Sequence, residues 1–293
     1  MQHTPPTGPL VRAARALATL MKRPGRVSQL APVSLTSDPV VLDAAHIHRY
    51  ATLCGFTCVD QVPMTYPQLL TFPLVMHYVT MPSFPWPAMG TVHLANAITQ
   101  HRPLSVGDTV RAELHTGPLW SHDKGQVFTL ALRILSEGSG DCVWEATQTL
   151  LRVGVRSPVG EPFAAGLDPE GPWTRSGEFD APADIGRRYA DVSGDHNPIH
   201  LWPITARLLG FRRAIAHGLW TQARALALCC PEGGSSHAGL HTVFKRPLWL
   251  PAQASVWQAQ PSPTERWFEV RDALGQVPHL RAHFTQPPQT PQP

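Results

Sequence analysis

The chain is short of charge, of long apolar runs and of paired cysteines, and each shortage closes off a class of function. Charged residues make up only 15% of the 293 residues, and the formal net charge of +3 is too small by itself to imply a nucleic-acid partner. No run of about eighteen apolar residues occurs, so no membrane span is expected. The five cysteines, Cys54, Cys58, Cys142, Cys229 and Cys230, form no CxxC pair and no even framework. A reduced, cytoplasmic setting is expected rather than a disulfide scaffold. Carboxylates are absent from the first 37 residues, which carry Arg12, Arg15, Lys22, Arg23 and Arg26. Within that extension "LVRAARALATLM", Leu10 to Met21, has the pattern of a short basic amphipathic helix. It is read as a helix resting on the first domain; the alternatives are a transit peptide, which would place the protein in mitochondria, and a membrane-surface helix.

What is present is proline and a repeat. The 31 prolines favour short strands, turns and linkers over long helical bundles. "YATLCGF", Tyr50 to Phe56, aligns with "YADVSGD", Tyr189 to Asp195, and a helical stretch precedes each. Each copy then has a Pro-containing loop and a glycine before an expected apolar helix, "AMGTVHLANAI" (Ala88 to Ile98) or "IAHGLWTQARALAL" (Ile215 to Leu228). Strand-like runs close both copies: "TVRAEL", "QVFTLALRIL" and "VWEATQTLLRV" in the first, "ASVWQAQ", "RWFEVRDA" and "HLRAHFT" in the second. The expected class is α+β, with antiparallel sheets around one apolar helix per copy. The expected division is a basic extension over 1–37, copies over 38–156 and 173–286, a Pro/Gly-rich linker over 157–172 and a disordered tail over 287–293. "YPQLLTFPLVMHYV", Tyr66 to Val79, with Phe84 and Trp86, lines either an acyl-chain cavity or the plain core; the sequence does not separate the two.

The copies diverge in their chemistry. Phe56 stands in the place of Asp195, and Gln61 in the place of His200. Pro198 disfavours helical geometry at Asn197, which is then placed to cap a short helix starting at Pro198. Such a bend would bring Asp195 and His200 to one side, about one water apart, as a proton donor and acceptor. The paired charge would raise the pKa of His200. Gly218, after His217, opens the apolar helix of the second copy, where free N–H groups and the helix dipole suit a developing oxyanion. His196 and His200 have HxxxH spacing, but Pro198 between them argues against a helical metal site, and no metal is expected. A serine nucleophile would want a GxSxG elbow, which is absent.

"YADVSGDHNPIH…ARLLGFRRAIAHG" resembles the signature of the MaoC-like, R-specific enoyl-CoA hydratase family. The resemblance implies the hot-dog fold, here a double hot-dog like that of 3-hydroxyacyl-thioester dehydratases, covering most of the chain after residue 38. It implies reversible hydration of a trans-2-enoyl thioester to the (3R)-3-hydroxyacyl thioester, without a cofactor. It casts Asp195, His200 and Gly218 as the catalytic residues. Asn197, His217, Arg212 and Arg213 are the candidates for substrate binding or its support, the arginines for coenzyme phosphates. It also implies that the degenerate first copy makes room for long or bulky acyl chains. Trp202 departs from the family pattern, in which Asp or Asn is frequent, and reads as a lost helix cap with Pro203 as a partial replacement. The expected partner is an acyl-CoA or acyl-carrier-protein thioester, with no nucleic acid, and the protein is a monomeric pseudo-dimer or a homodimer. Rival readings are a thioesterase on the same fold and a non-catalytic acyl-thioester binding protein.

Overall fold

The computed structural model of the chain describes residues 2–3, 9–57, 61–167, 172–230 and 237–287. The expected tail lies outside these, apart from Pro287. Contacts group the chain into two compact units. The first comprises Met1–Leu42, Pro67–Ala97 and Asp108–Gly166; the second comprises Asp43–Tyr66, Ile98–Gly107 and Leu167–Pro293.

The first unit is a sheet of β1 (Gln2–His3), β2 (Ser34–Thr36), β5 (Thr109–His122), β6 (Gly125–Ser136), β7 (Cys142–Val153) and the start of β4 (Thr91–Gln100), in that order, with β3 (Val40–Val41) paired to β5. In β6 the alternate residues Phe128, Leu130, Leu132 and Ile134 are fully buried, the period of two that a sheet with one covered face requires. Helix α3 (Pro67–Thr80) packs on β5 and β6. It is apolar around most of its circumference, as befits a helix buried in a sheet's embrace. Helix α1 (Pro9–Ala18) rests on α3, as the first of the three N-terminal readings had it. Just beyond α1, the Lys22 Nζ donates to the carbonyls of Met81 at 2.8 Å and Phe84 at 2.6 Å. These lie just past the C-terminal end of α3, where a cation is favoured.

The expected apolar helix over Ala88 to Ile98 is instead mostly strand β4. The central helix of this unit is α3, twenty residues earlier in the chain. Two properties concealed it. Pro73 lies inside it, and a helix buried on most sides has no amphipathic stripe to display.

The second unit repeats the plan. Strands β9 (Ala238–Phe244), β12 (Pro278–Thr285), β11 (Glu265–Asp272), β10 (Ala252–Ser262) and β8 (Thr174–Ala181) follow one another in an antiparallel sheet. Helix α7 (Gly218–Cys229) packs on β11 and β12. Helices α2 (Ala44–Cys54) and α4 (Ile185–Ser193) pack together, and the residues shared by the two sequence copies explain themselves there. Tyr50 and Tyr189 are buried with ring centroids 6.4 Å apart. Ala51 and Ala190 have no exposed surface. Gly55 and Gly194 end their helices at φ of 82° and 75°, left-handed positions that glycine fills without strain.

Candidate active site

The site grows from the end of α4. Gly194 turns the chain out of the helix, and the Asp195 amide donates to Ser193 Oγ at 3.2 Å. The Asp195 carboxylate accepts from the Asn197 amide at 3.1 Å. Asn197 caps α5 (Pro198–Leu201), its side chain accepting from the Ile199 amide, with Pro198 as the first helical residue. This is the bend anticipated from the sequence. It carries His200 inward, to 8% exposure, while the Asp195 side chain keeps 29%.

His200 Nδ1 lies 2.9 Å from the Ile215 carbonyl oxygen, which can only accept. Nδ1 therefore carries the proton in the neutral ring, and Nε2 keeps a lone pair. His217, 3% exposed, stacks on His200 with ring centroids 3.8 Å apart and 27° between planes. Its Nε2 donates to the Asp195 carbonyl at 3.0 Å and lies 3.9 Å from the Asp195 carboxylate. His217 is the N-cap residue of α7, and its own carbonyl accepts from the Thr221 amide and hydroxyl. Gly218 is therefore the first residue of α7, half-buried, at the end where N–H groups lack partners within the helix. A Cβ on Gly218 would stand 2.9 Å from Phe244 Cε1, so only glycine fits without displacing that ring.

Burial pushes the His200 pKa below the usual histidine value, and the nearby Asp195 charge and Ile215 carbonyl only partly oppose it. This corrects the expectation that the paired charge would raise it: removal from water outweighs the attraction of a carboxylate that is itself still partly hydrated. His217 is held well below its usual value by burial first and by His200 second. Both rings are thus kept neutral near pH 7.

Asp195, His200 and His217 offer ligand atoms that all lie within 4.8 Å of one another. This trio differs from the HxxxH pair considered from the sequence, since His196 is exposed. Two of its ring nitrogens, His200 Nδ1 and His217 Nε2, already face backbone carbonyls. Arg212 and Arg213 are exposed on the segment between α6 (Pro203–Leu208) and α7. Trp202 precedes α6 without a side-chain cap, and the Arg187 guanidinium lies 3.9 Å from its ring centroid.

Several residues of this site escaped the sequence reading. A Cβ on Gly186 would overlap the His200 carbonyl, so α4 lies directly against the bend that carries His200. The Tyr189 ring centroid is 5.0 Å from that of His217. His46 on α2 ties Val192 of α4, through Nε2 at 2.9 Å, to the Tyr66 hydroxyl, through Nδ1 at 2.8 Å. Tyr189 gave a signal as a residue shared by the two copies, and the glycine in "DIGRRYA" as a small residue inside a helix; His46 gave none.

A carboxylate, a neutral imidazole with one free nitrogen and a helix amino end are suited to moving protons next to a polarised carbonyl. Comparison with known proteins is in keeping with this. Residues 165–246 match the MaoC like domain. The chain is 38% identical over 282 residues to 3-hydroxyacyl-thioester dehydratase X of Mycobacterium tuberculosis, covering 95% of this chain and 98% of that protein. The chain belongs to the MaoC-like dehydratase family. The crystal structure of that M. tuberculosis protein, HtdX, superposes with a TM-score of 0.74 at 32% identity, over 86% of this chain and 99% of the other. The peroxisomal enoyl-CoA hydratase 2 of Arabidopsis thaliana is 27% identical over 225 residues, 71% of this chain and 70% of that protein. The architecture of this MaoC-like dehydratase is accordingly the double hot-dog, with α3 and α7 as its two central helices. The matched domain contains all seven candidate site residues.

Proposed function

We propose that the protein is a hydro-lyase that interconverts a trans-2-enoyl thioester and the (3R)-3-hydroxyacyl thioester. The observation that carries this is the meeting of Asp195, His200 and the amino end of α7 in one copy only. In the other copy Phe56 is buried and Gln61 is exposed. There the central helix opens on Pro67, which has no N–H to offer a carbonyl. The copies are those of 38–156 and 173–286, and the second does the chemistry.

The thioester carbonyl takes the Gly218 amide at the positive end of α7. Water sits between Asp195 and His200 Nε2. As its oxygen adds to C3, the water yields a proton to Nε2, negative charge passes to the carbonyl oxygen, and the dyad returns one proton to C2. The two groups act as a unit. Asn197 holds the bend and His217 holds the Asp195 carbonyl. Arg212 and Arg213 meet the phosphate of the thioester's carrier.

The test is conversion of crotonyl-CoA and longer enoyl-CoA to 3-hydroxyacyl-CoA, followed by ultraviolet absorbance and chiral analysis of the product. Asp195→Asn is expected to lower kcat by about 10²-fold or more. Release of free thiol without hydration would instead identify a thioesterase and overturn the proposal.

A further inference from the structure

We propose that the outward face of α6 and the turn after it, Trp202 to Arg213, is the docking surface for an acidic carrier protein that brings the acyl thioester to the site. This rests on the hydro-lyase reading and names the partner. Trp202, Ile204, Leu208 and Leu209 are 50%, 69%, 81% and 38% exposed, an unusual concentration of bare apolar side chains. Arg207, Arg212 and Arg213 are exposed among them. Beside them Arg187 lies over Trp202 and Arg188 is exposed on α4. No Asp or Glu occurs between Asp195 and Glu232, so the acids nearest in sequence to this face are Asp184 and Asp191 on α4 and Asp195 itself.

The position ties this face to the chemistry. The Thr205 hydroxyl on α6 donates to the Pro198 carbonyl at 2.6 Å, and the Ile215 amide donates to the Ile199 carbonyl at 3.1 Å. α6 is thus fastened to the bend that holds His200, and the chain after it leads to Gly218. Free coenzyme A would leave the exposed Ile204 and Leu208 uncovered, because its nucleotide end offers phosphates and an adenine rather than an apolar surface. A second copy of the same face, related by a two-fold axis, would set arginine against arginine. A six-residue helix is also short for a membrane-surface anchor. An acidic surface with a few apolar side chains satisfies both features at once.

The experiment compares one enoyl chain carried on coenzyme A with the same chain on the phosphopantetheine arm of an acidic acyl carrier protein. Ile204→Glu and Leu208→Glu change solvent-exposed side chains outside the catalytic bend. Each is expected to lower kcat/KM on the carrier-bound chain at least tenfold, to leave the coenzyme A value within twofold, and to leave the oligomeric state unchanged. The carrier-bound reaction should also weaken as salt rises. Equal losses on both substrates, no loss on either, or a changed oligomeric state would overturn the docking proposal. Binding of the holo carrier protein to the parent and to Leu208→Glu, read by biolayer interferometry, is independent of turnover. Carrier binding that Leu208→Glu abolishes, in a protein that hydrates neither substrate, would sink the hydro-lyase reading and keep the docking surface. Binding equal in parent and variant would sink the surface.

Discussion

His200 has two ring nitrogens with different neighbours, and its chemistry follows from that asymmetry. The Ile215 carbonyl fixes the proton on Nδ1, which leaves Nε2 as an acceptor. Burial lowers the pKa of His200 and of the stacked His217. The unfolded chain therefore binds protons that the folded chain refuses. The stability these neutral rings allow is fully present above about pH 6.5 and is lost as pH falls below that value toward the lowered folded pKa values. Thermal unfolding monitored from pH 7.5 to pH 5 should show Tm falling by several degrees below pH 6.5. A Tm independent of pH across that window would contradict the burial of the pair. The same titration predicts an acidic limb of kcat/KM with an apparent pKa below the usual histidine value. At this scale the sequence was informative: Asn197, Pro198, His200 and Gly218 take the places their types suggested. What it did not reveal was the role of His217. Its ring stacks on a residue seventeen positions earlier in the chain and bonds to a backbone carbonyl, and neither contact leaves a spacing to read.

Among the elements, α4 determines where the dyad sits. Its Gly186 lies against the His200 carbonyl, so Gly186→Ala must push α4 and α5 apart. That substitution should cost about 1–3 kcal/mol of stability by overpacking and lower kcat further than KM changes. Parallel measurement of denaturant unfolding and steady-state kinetics checks it, and unaltered kinetics would show that the contact does not position His200. The elements were unequally legible for a physical reason. Strands β5, β6, β7, β10, β11 and β12 show alternation because one face is covered. Helices α2 and α4 each end on a glycine, and α2 starts on an aspartate cap. Helix α3 shows no stripe because its sides are covered, while the glycine-led segment at Ala88, which reads as an apolar helix, forms strand β4.

Across the whole molecule, the hydro-lyase proposal gives the chemistry to the second of two tandem copies. The linker residue Leu167 is fastened to the second copy's sheet by Arg281, which a buried carboxylate holds. Glu269, 2% exposed, accepts from Arg271 Nε and from Arg281 Nε, each at 2.6 Å, and Arg281 donates to the Leu167 carbonyl at 2.8 Å. Removing that carboxylate takes the acidic partner from two half-buried guanidinium groups, so Glu269→Ala should cost about 2–4 kcal/mol of stability. Because Glu269 lies outside the bend from Asp195 to His200, the folded fraction should keep its kcat. Chemical denaturation with activity normalised to folded protein checks this, and a variant as stable as the parent would contradict it.

The central claim is that one copy catalyses and its echo does not. The most direct test is kcat/KM for crotonyl-CoA hydration in the parent, in His200→Ala and in Gln61→Ala at the corresponding place in the first copy. The account predicts a fall of about 10²-fold or more for His200→Ala and a value within twofold of the parent for Gln61→Ala. Comparable losses at both positions, or a His200→Ala variant within a few-fold of the parent, would contradict it.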